Sequence, residues 1–215
     1  GEWGSAKATA KALNFGSGRG LSVSCAAPGE CSATGAYEDD DGIQGFVATQ
    51  ADGLWEAAIP IPNLKAQNIG NHAVASAVSC SVPGECTATG FYKPGIVTEG
   101  FVVTQTKGEW GRAIPIPGLR PLNTGGIATS GSVSCAAPGA CYVVGQYKDN
   151  NGYQGFVADV LSPFAPVGPT RAVDTRKGRG VLQAAGSTLT VELGNLLANQ
   201  SVSVNLTVPG AVGRG

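Results

Sequence analysis

The strongest constraint on the fold is a cysteine pair that recurs at a fixed interval. In each pair the two cysteines enclose a five-residue loop with Pro-Gly at its centre. The leading cysteines stand at positions 25, 80 and 135, a constant spacing of 55 residues. Repeats of this size are typical of solenoids, propellers and other arrays. The pairs are Cys25 and Cys31, Cys80 and Cys86, and Cys135 and Cys141.

Other motifs recur in step with the cysteines. A Val-Ser-Cys sequence ends at each leading cysteine, and Gly-x-Tyr, Gly-Phe-Val and Gly-x-Trp appear once in every repeat. These motifs predict a repeat domain over residues 1–162, divided into units of about 1–52, 53–107 and 108–162. The glycines that open the Gly-x-Tyr motifs are Gly35, Gly90 and Gly145, and the tryptophans are Trp3, Trp55 and Trp110.

The composition favours an all-β fold. Glycine supplies 33 of the 215 residues, and charged residues only 13%, about half the usual share. Short apolar runs bounded by turn residues predict four strands in each unit, which in the first unit cover residues 21–25, 31–37, 45–50 and 54–61. The fourth strand contains Ile-Pro-Ile-Pro. Because proline donates no ladder hydrogen bond, we expect this strand at an outer edge of the sheet.

The expected architecture is three four-stranded propeller-type repeats followed by a small β-rich, sandwich-like module. The alternatives are a β-trefoil or another β arrangement. The chain opens on a fourth-strand motif, at Trp3, and contains no methionine. We therefore expect a processed or truncated piece in which residues 1–10 are the fourth strand of some blade, and propellers typically close with about four to eight blades.

The cysteine pairs predict three local disulfides, since a Pro-Gly hairpin brings its flanking residues within bonding reach. Buried free thiols and a metal site are the alternatives. Zinc ligands usually carry histidine or closer cysteines, and the only histidine is His72. Oxidised pairs predict a secreted or cell-surface protein. A net charge of −1 disfavours nucleic-acid binding, and no run of 18 apolar residues predicts a membrane span.

Together these motifs resemble the propeller-type repeats of secreted proteins from Gram-positive, chiefly actinobacterial, bacteria. The resemblance rests on Ser-Val-Ser-Cys, the Pro-Gly turn, Gly-x-Tyr, Gly-Phe-Val and Gly-x-Trp, and covers about residues 1–162. It implies an extracellular β-propeller with disulfides inside the blades. It does not imply one activity.

A second composition begins after residue 162. Cysteine and tryptophan disappear, and residues 188–193 and 201–208 alternate like half-buried strands. The sequence Pro-Thr-Arg-Ala-Val-Asp-Thr-Arg, from position 169, resembles the Pro-Thr-Arg-Leu-Leu-Asp-Thr-Arg opening of a C-terminal β module of secreted bacterial surface proteins, with Ala-Val replacing Leu-Leu. We expect residues 163–215 to be a truncated module. Arg171, Asp174 and Arg176 are interpreted as a structural clamp, with carboxylate or phosphate binding as the alternative.

Candidate ligand-binding residues lie in loops. In a four-stranded meander the connection between strands 2 and 3 and the connection to the next unit emerge on one side of the sheet. Clustered carboxylates before glycine make Asp39 and Asp41 a weak calcium candidate, and no cofactor is expected. The conserved placement of the tryptophans favours a core role over sugar stacking. The ligand-face candidates are Asp39, Asp40, Asp41, Asn68, His72, Asn123, Asp149 and Asn150.

Two function classes follow. The first is a non-catalytic extracellular module for adhesion, glycan or protein binding, or assembly into a surface layer or filament. The second is a non-catalytic fragment of a secreted hydrolase whose active site lies in missing blades. Few acids or histidines converge in the repeats, so we lean against an enzyme. Self-association, another extracellular protein or a glycan is the expected partner, with residues 1–10 and 163–215 as the predicted contact regions.

Overall fold

A computed structural model describes residues 5–8, 10–13 and 16–161. All of them belong to the unit Gly1–Pro163 of the chain. The predicted C-terminal module over residues 163–215, including the Arg171, Asp174 and Arg176 clamp, lies outside the described residues, and so does Trp3.

The described residues form an all-β structure of three antiparallel sheets, one around each cysteine hairpin, and the outer strands of sheets 1 and 2 come from the start of the following repeat unit. Sheet 1 contains β1 (Gly18–Ala27), β2 (Glu30–Asp39), β3 (Gly42–Ala51), β4 (Leu54–Trp55) and β5 (Ile59–Pro60). Sheet 2 contains β6 (Val74–Val82), β7 (Glu85–Tyr92), β8 (Glu99–Thr106), β9 (Glu109–Trp110) and β10 (Ile114–Pro115). Sheet 3 contains β11 (Ala128–Ala137), β12 (Ala140–Asp149) and β13 (Gly152–Leu161). Two four-residue helices connect the sheets, α1 (Leu64–Gln67) and α2 (Leu119–Leu122), and a 3₁₀ turn covers Lys11–Leu13.

The first hairpin of each sheet has the same register. The two cysteines face each other across the strands, and each pair is bonded: Cys25–Cys31, Cys80–Cys86 and Cys135–Cys141. The glycine of each Pro-Gly turn has positive φ, 80° at Gly29 for example, a conformation that glycine adopts without strain. The six-residue spacing of the cysteines is therefore explained by the hairpin: Pro28 and Gly29 form the turn, Ala27 pairs with Glu30, and Cys25 pairs with Cys31.

The Gly-x-Tyr glycine is explained by a close approach between strands. A Cβ atom at Gly35 would collide with the carbonyl oxygen of Arg19 on β1, and Gly90 and Gly145 meet equivalent carbonyls in the other sheets. A bulge in the first strand lies beside each of these glycines, for instance between Gly20 and Ser22. The motif is thus a packing requirement of the hairpin.

The predicted single fourth strand is two short strands in sheets 1 and 2. Both β4 and β5 pair with β3, and β9 and β10 both pair with β8. The prolines explain part of the interruption, because Pro60 and Pro62 have no amide to donate, while Ile61 between them donates inward to Gly45. The predicted edge position of the Ile-Pro-Ile-Pro segment agrees with this arrangement.

The sheets stack face to face in chain order, with their first strands β1, β6 and β11 adjacent. Serine hydroxyls link these strands: the Cys80 amide donates to Ser24 Oγ at 2.9 Å, and the Cys135 amide donates to Ser79 Oγ at 3.0 Å. The same polar contact thus recurs from one sheet to the next.

Apolar clusters fill the spaces between the sheets. Val47, Leu64 and Phe101 are buried between sheets 1 and 2, and Val102 and Leu119 occupy the next interface. Leu64 and Leu119 explain the helices α1 and α2, which the sequence did not predict: each helix inserts its leucine into the core. Of the tryptophans, Trp55 and Trp110 are half-buried and pack at the edges of such clusters.

Candidate functional site on the loop face

The two ends of the sheets differ in character. At one end the Pro-Gly turns contact the following β-turns, as when Gly53 donates to the Gly29 carbonyl at 3.0 Å. The other end gathers the longer connections, and we name it the loop face: residues 39–42, 64–72, 93–99, 119–127 and 148–152. Contacts within it include the Ile43 amide bound to the Asn71 carbonyl at 3.0 Å. Every predicted ligand-face residue lies in these segments.

Lys65 on α1 joins the two carboxylates proposed for calcium. Its Nζ lies 2.9 Å from Asp39 Oδ2 and 2.7 Å from Asp41 Oδ2. The hydrogen bonds to Asp41 and Asp39 raise the pKa of Lys65 above its ordinary value. The ammonium thus already supplies the positive charge that a calcium ion would bring. The neighbouring Asp40 is exposed and points to no such partner in the described structure.

Asn68 connects sheet 1 to sheet 2 from inside the fold. It is 2% exposed, and its Nδ2 donates to the Ile43 carbonyl and to Gln44 Oε1, both at 3.1 Å. Its Oδ1 accepts from the His72 amide at 2.9 Å and the Lys93 amide at 3.2 Å. Every polar atom of the side chain is therefore used, which differs from the expected exposed ligand residue. Its position in the loop was predictable, but its burial depends on the next sheet.

His72 is half-buried beside Asn68 and forms a parallel bridge with Ile43. Its ring centroid lies 5.7 Å from that of Phe91. Burial lowers the pKa of His72 below its usual 6.5, and the positive charges of Lys93 and Arg19 lower it further. Among the described residues no carboxylate hydrogen-bonds to the ring. Burial and these two charges thus favour the neutral imidazole, and no described acid orients it as a catalytic triad requires.

The sequence did not predict a buried glutamate on sheet 2 that contacts a tyrosine and an arginine. Glu99 is 6% exposed; it accepts from Tyr92 OH at 3.2 Å and pairs with Arg120 Nε at 3.2 Å. Burial, followed by the Glu99 charge and hydrogen bond, raises the pKa of Tyr92 to about 12. The available signal was a substitution within the repeat: Glu99 stands where the other two units carry Gln44 and Gln154.

The third set of loops repeats parts of this scheme. Asn123 is the counterpart of Asn68, and its Nδ2 donates to the Thr98 carbonyl at 3.0 Å, while its Oδ1 is buried with no hydrogen-bond partner in the described structure. Asp149 Oδ1 accepts from the Asn151 amide at 2.7 Å, as Asp39 Oδ1 does from the Asp41 amide at 2.9 Å. Asn150 is exposed at the hairpin tip.

The loop face therefore consists of exposed polar loop residues held in place by buried hydrogen bonds between the sheets. Most of its charged groups are already paired within the chain, and the described residues include no cluster of three or more His, Cys, Asp or Glu side chains able to hold a metal ion. Exposed apolar side chains stand among these loop residues, chiefly Ile69 and Ile96.

No described helix is long and apolar enough to cross a membrane. In comparisons with protein-family models and with curated proteins, this chain matched none of them.

Proposed function

We propose that this chain is a non-catalytic, extracellular scaffold built from propeller-type repeats, which presents its loop face for adhesion or for binding a glycan or protein. The observation that carries the proposal is the repeated stacking of antiparallel sheets, with the longer connections of the described residues gathered at one end. A separate sheet from each unit supports a propeller-type arrangement over a β-trefoil. The resemblance to secreted actinobacterial repeat proteins points the same way.

The disulfides support the extracellular placement. All six cysteines are paired within the described residues, one bond in each sheet. Such bonds persist in oxidising compartments and are rare in the cytosol.

The chemistry of the loop face supports binding over catalysis. Lys65 forms ion pairs with both Asp39 and Asp41, and the polar atoms of Asn68 are all hydrogen-bonded between the sheets. A hydrolase would need an acid and a base or nucleophile in reach of one bond. The second candidate, a non-catalytic fragment of a secreted hydrolase, is supported by no contact among these residues.

The test measures binding and hydrolysis with the same full-length protein. Fluorescently labelled chain is titrated onto Gram-positive cell envelopes and onto an immobilised panel of their polysaccharides. We expect saturable binding that Ile69→Asp on the loop face weakens at least about tenfold, which is the effect of losing about 1.4 kcal/mol.

The matched control is Val82→Asp, which places the same charge at another exposed apolar position, at the disulfide end; Val82 is 41% exposed and Ile69 73%. Equal weakening by both variants, or no saturable binding at all, contradicts the loop-face proposal. Release of reducing sugars or peptides from the same envelopes would show that the chain itself is catalytic and would contradict both candidates.

A further inference from the structure

We propose that the free faces at the two ends of the sheet stack bind each other, so that sheet 3 of one molecule docks onto sheet 1 of a second copy. This inference rests on the scaffold function proposed above and names a partner for it. The trailing face is the free side of sheet 3, formed by Ser134, Tyr142, Val144, Val157 and Asp159. The leading face is the free side of sheet 1, formed by Val23, Cys25, Gln50 and Trp55.

The trailing face exposes positions that are buried elsewhere in the stack. Val157 is 69% exposed, whereas its counterparts Val102 in sheet 2 and Val47 in sheet 1 are 1% and 0% exposed because the next sheet covers them. A valine left in water forgoes the free energy that its burial would contribute. Sheet 3 therefore has the surface of an inner sheet at the end of the stack.

Two larger apolar side chains extend this surface. Tyr142 and Val144 are exposed, and they replace Thr87 and Thr89, which are buried against sheet 3. The direction of these positions is fixed by contact, because Thr87 Oγ1 lies 3.1 Å from Cys141 Sγ on the following sheet. The terminal sheet is thus more apolar at these two positions than its buried counterpart, which is typical of a docking surface.

The leading face likewise exposes a valine that a preceding sheet covers in the other two sheets. Val23 on β1 is 62% exposed, while its counterparts Val78 and Val133 are 6% and 9% exposed because a preceding sheet covers them. Behind Val23, Tyr37 and Phe46 form a core cluster against which Ala10 and Leu13 pack. Those two residues occupy the place that connector residues such as Leu64 take between sheets 1 and 2. Among the described residues, the leading face therefore has a connector packed on it and no covering sheet.

Hydrogen-bonding groups at the two faces also match. Ser24 and Ser79 each accept from the amide of a leading cysteine on the next sheet. Ser134 is the third member of this series and is exposed. The Cys25 amide is the corresponding donor. Cys25 lies opposite Cys31 with a Cα separation of 3.9 Å, the short spacing of a non-hydrogen-bonded pair, so its amide points away from β2.

A second hydrogen bond between sheets, near the disulfide end, also has matching donors and acceptors on the two end faces. Between sheets 1 and 2, Thr49 Oγ1 accepts from Gln105 Nε2 at 3.1 Å and from Trp110 Nε1 at 3.2 Å. The corresponding acceptor on the trailing face is the carboxylate of Asp159, which is exposed. The corresponding donors on the leading face are the side chains of Gln50 and Trp55. A stacked second copy would place these groups as the internal interface places theirs.

A contact between two different faces is heterologous. It leaves a free face on each partner, so it either closes a ring or extends a filament. The chain already makes this sheet-on-sheet contact twice internally, and the intermolecular contact is its continuation.

The experiment is sedimentation velocity of the full chain across a range of concentrations, with reversal variants at each face. We expect concentration-dependent association. Val157→Lys and Val23→Lys should each weaken it at least about tenfold, since each buries a charge in place of a valine. Ile96→Lys makes the same change at a fully exposed loop position and should leave association unchanged. Circular dichroism establishes that every variant keeps its fold.

Mixing the two face variants tests the head-to-tail geometry. Val157→Lys retains an intact leading face and Val23→Lys an intact trailing face, so the mixture should form a one-to-one complex that neither variant forms alone. A full chain that stays monomeric at about 100 μM, a Val157→Lys variant that associates normally, or a mixture that does not pair would each overturn the proposal. Envelope binding is measured separately at concentrations where the chain is monomeric, so either proposal can fail without the other.

Discussion

The hydroxyl of Ser79 accepts a hydrogen bond from the backbone amide of Cys135, 56 residues further along the chain, at 3.0 Å. This contact joins a side chain of one sheet to the edge strand of the next, beside a disulfide. It adds a side-chain hydrogen bond to an interface that also contains a parallel backbone bridge between Thr98 and Ile127. The same relationship holds between Ser24 and Cys80.

Ser79→Ala should lower the free energy of unfolding by about 1 kcal/mol, because the Cys135 amide loses its partner in a half-buried position. Urea denaturation followed by circular dichroism measures the change. Ser134→Ala removes the equivalent hydroxyl from the exposed face of sheet 3. Measured where the chain is monomeric, it should change stability by less than about 0.5 kcal/mol. Equal effects of the two substitutions would show that the inter-sheet bond contributes nothing.

Thr34→Val should stabilise the protein by about 1 kcal/mol. Thr34 Oγ1 is buried and has no hydrogen-bond partner in the described structure, so a methyl group of similar size removes an unsatisfied polar atom. Its counterpart Thr89 donates to the Phe101 carbonyl at 2.8 Å and lies 2.6 Å from Ser130 Oγ. Thr89→Val should destabilise by about 1–3 kcal/mol. Thermal and urea unfolding of the pair give the comparison; the same sign for both would contradict it.

Stability should fall as the pH rises from about 10 to about 12. The pKa of Tyr92 is raised from its ordinary 10.0 to about 12, chiefly by burial. The folded state therefore holds this proton more tightly than the unfolded state, and the stabilisation is full below pH 10 and is lost as the pH rises through the folded pKa. Tyr92→Phe should flatten this decline in part, since burial also raises the pKa of Tyr37.

The tyrosinate absorbance of the folded protein gives an independent measure of this titration. Glu99→Gln should lower the pKa of Tyr92 only partway towards 10.0, because burial is the larger cause. A Tyr92 that ionises with an ordinary pKa in the folded chain would contradict the assignment.

Cys25–Cys31 should be the first disulfide to yield to a mild reductant under native conditions. Cys25 is exposed, whereas Cys86 and Cys141 in the other pairs are buried beneath the preceding sheet, next to Ser32 and Thr87. Reduction at monomeric concentrations, followed by alkylation and mass spectrometry, identifies the order. Simultaneous alkylation of all three pairs would show that the sheets do not protect them.

Local features of the fold were predictable because the determining residues are close in sequence. The spacing of Cys25 and Cys31 around Pro-Gly predicted a hairpin, and the observed register places the two cysteines opposite each other. The prolines of the Ile-Pro-Ile-Pro segment predicted an edge position. They did not predict that the fourth strand divides into β4 and β5, which depends on how this segment reaches β3 and the connector.

The candidate site was less predictable because its contacts cross between sheets. Asn68 was singled out as a loop residue, yet its burial requires Ile43 from its own sheet and Lys93 from the next. The four-residue helix α1 is too short to arise from local preference and is stabilised by Leu64 in the core. In the sequence, Glu99 is recognisable only as a charged residue at a position where the other units have glutamine. Its significance depends on its burial beside Tyr92, which the sequence does not show.

The prolines in the outer strand also affect whether a strand from another molecule can pair with this edge of the sheet. Pro60 and Pro62 occupy the positions whose amides would otherwise point outward. The amide of Ile61, between them, donates to the Gly45 carbonyl. A foreign strand approaching this rim finds no donors along that stretch, which is a recognised defence against edge-to-edge aggregation. Edge-to-edge addition is therefore discouraged at this rim of sheet 1, and the face-to-face association proposed above does not depend on the rim.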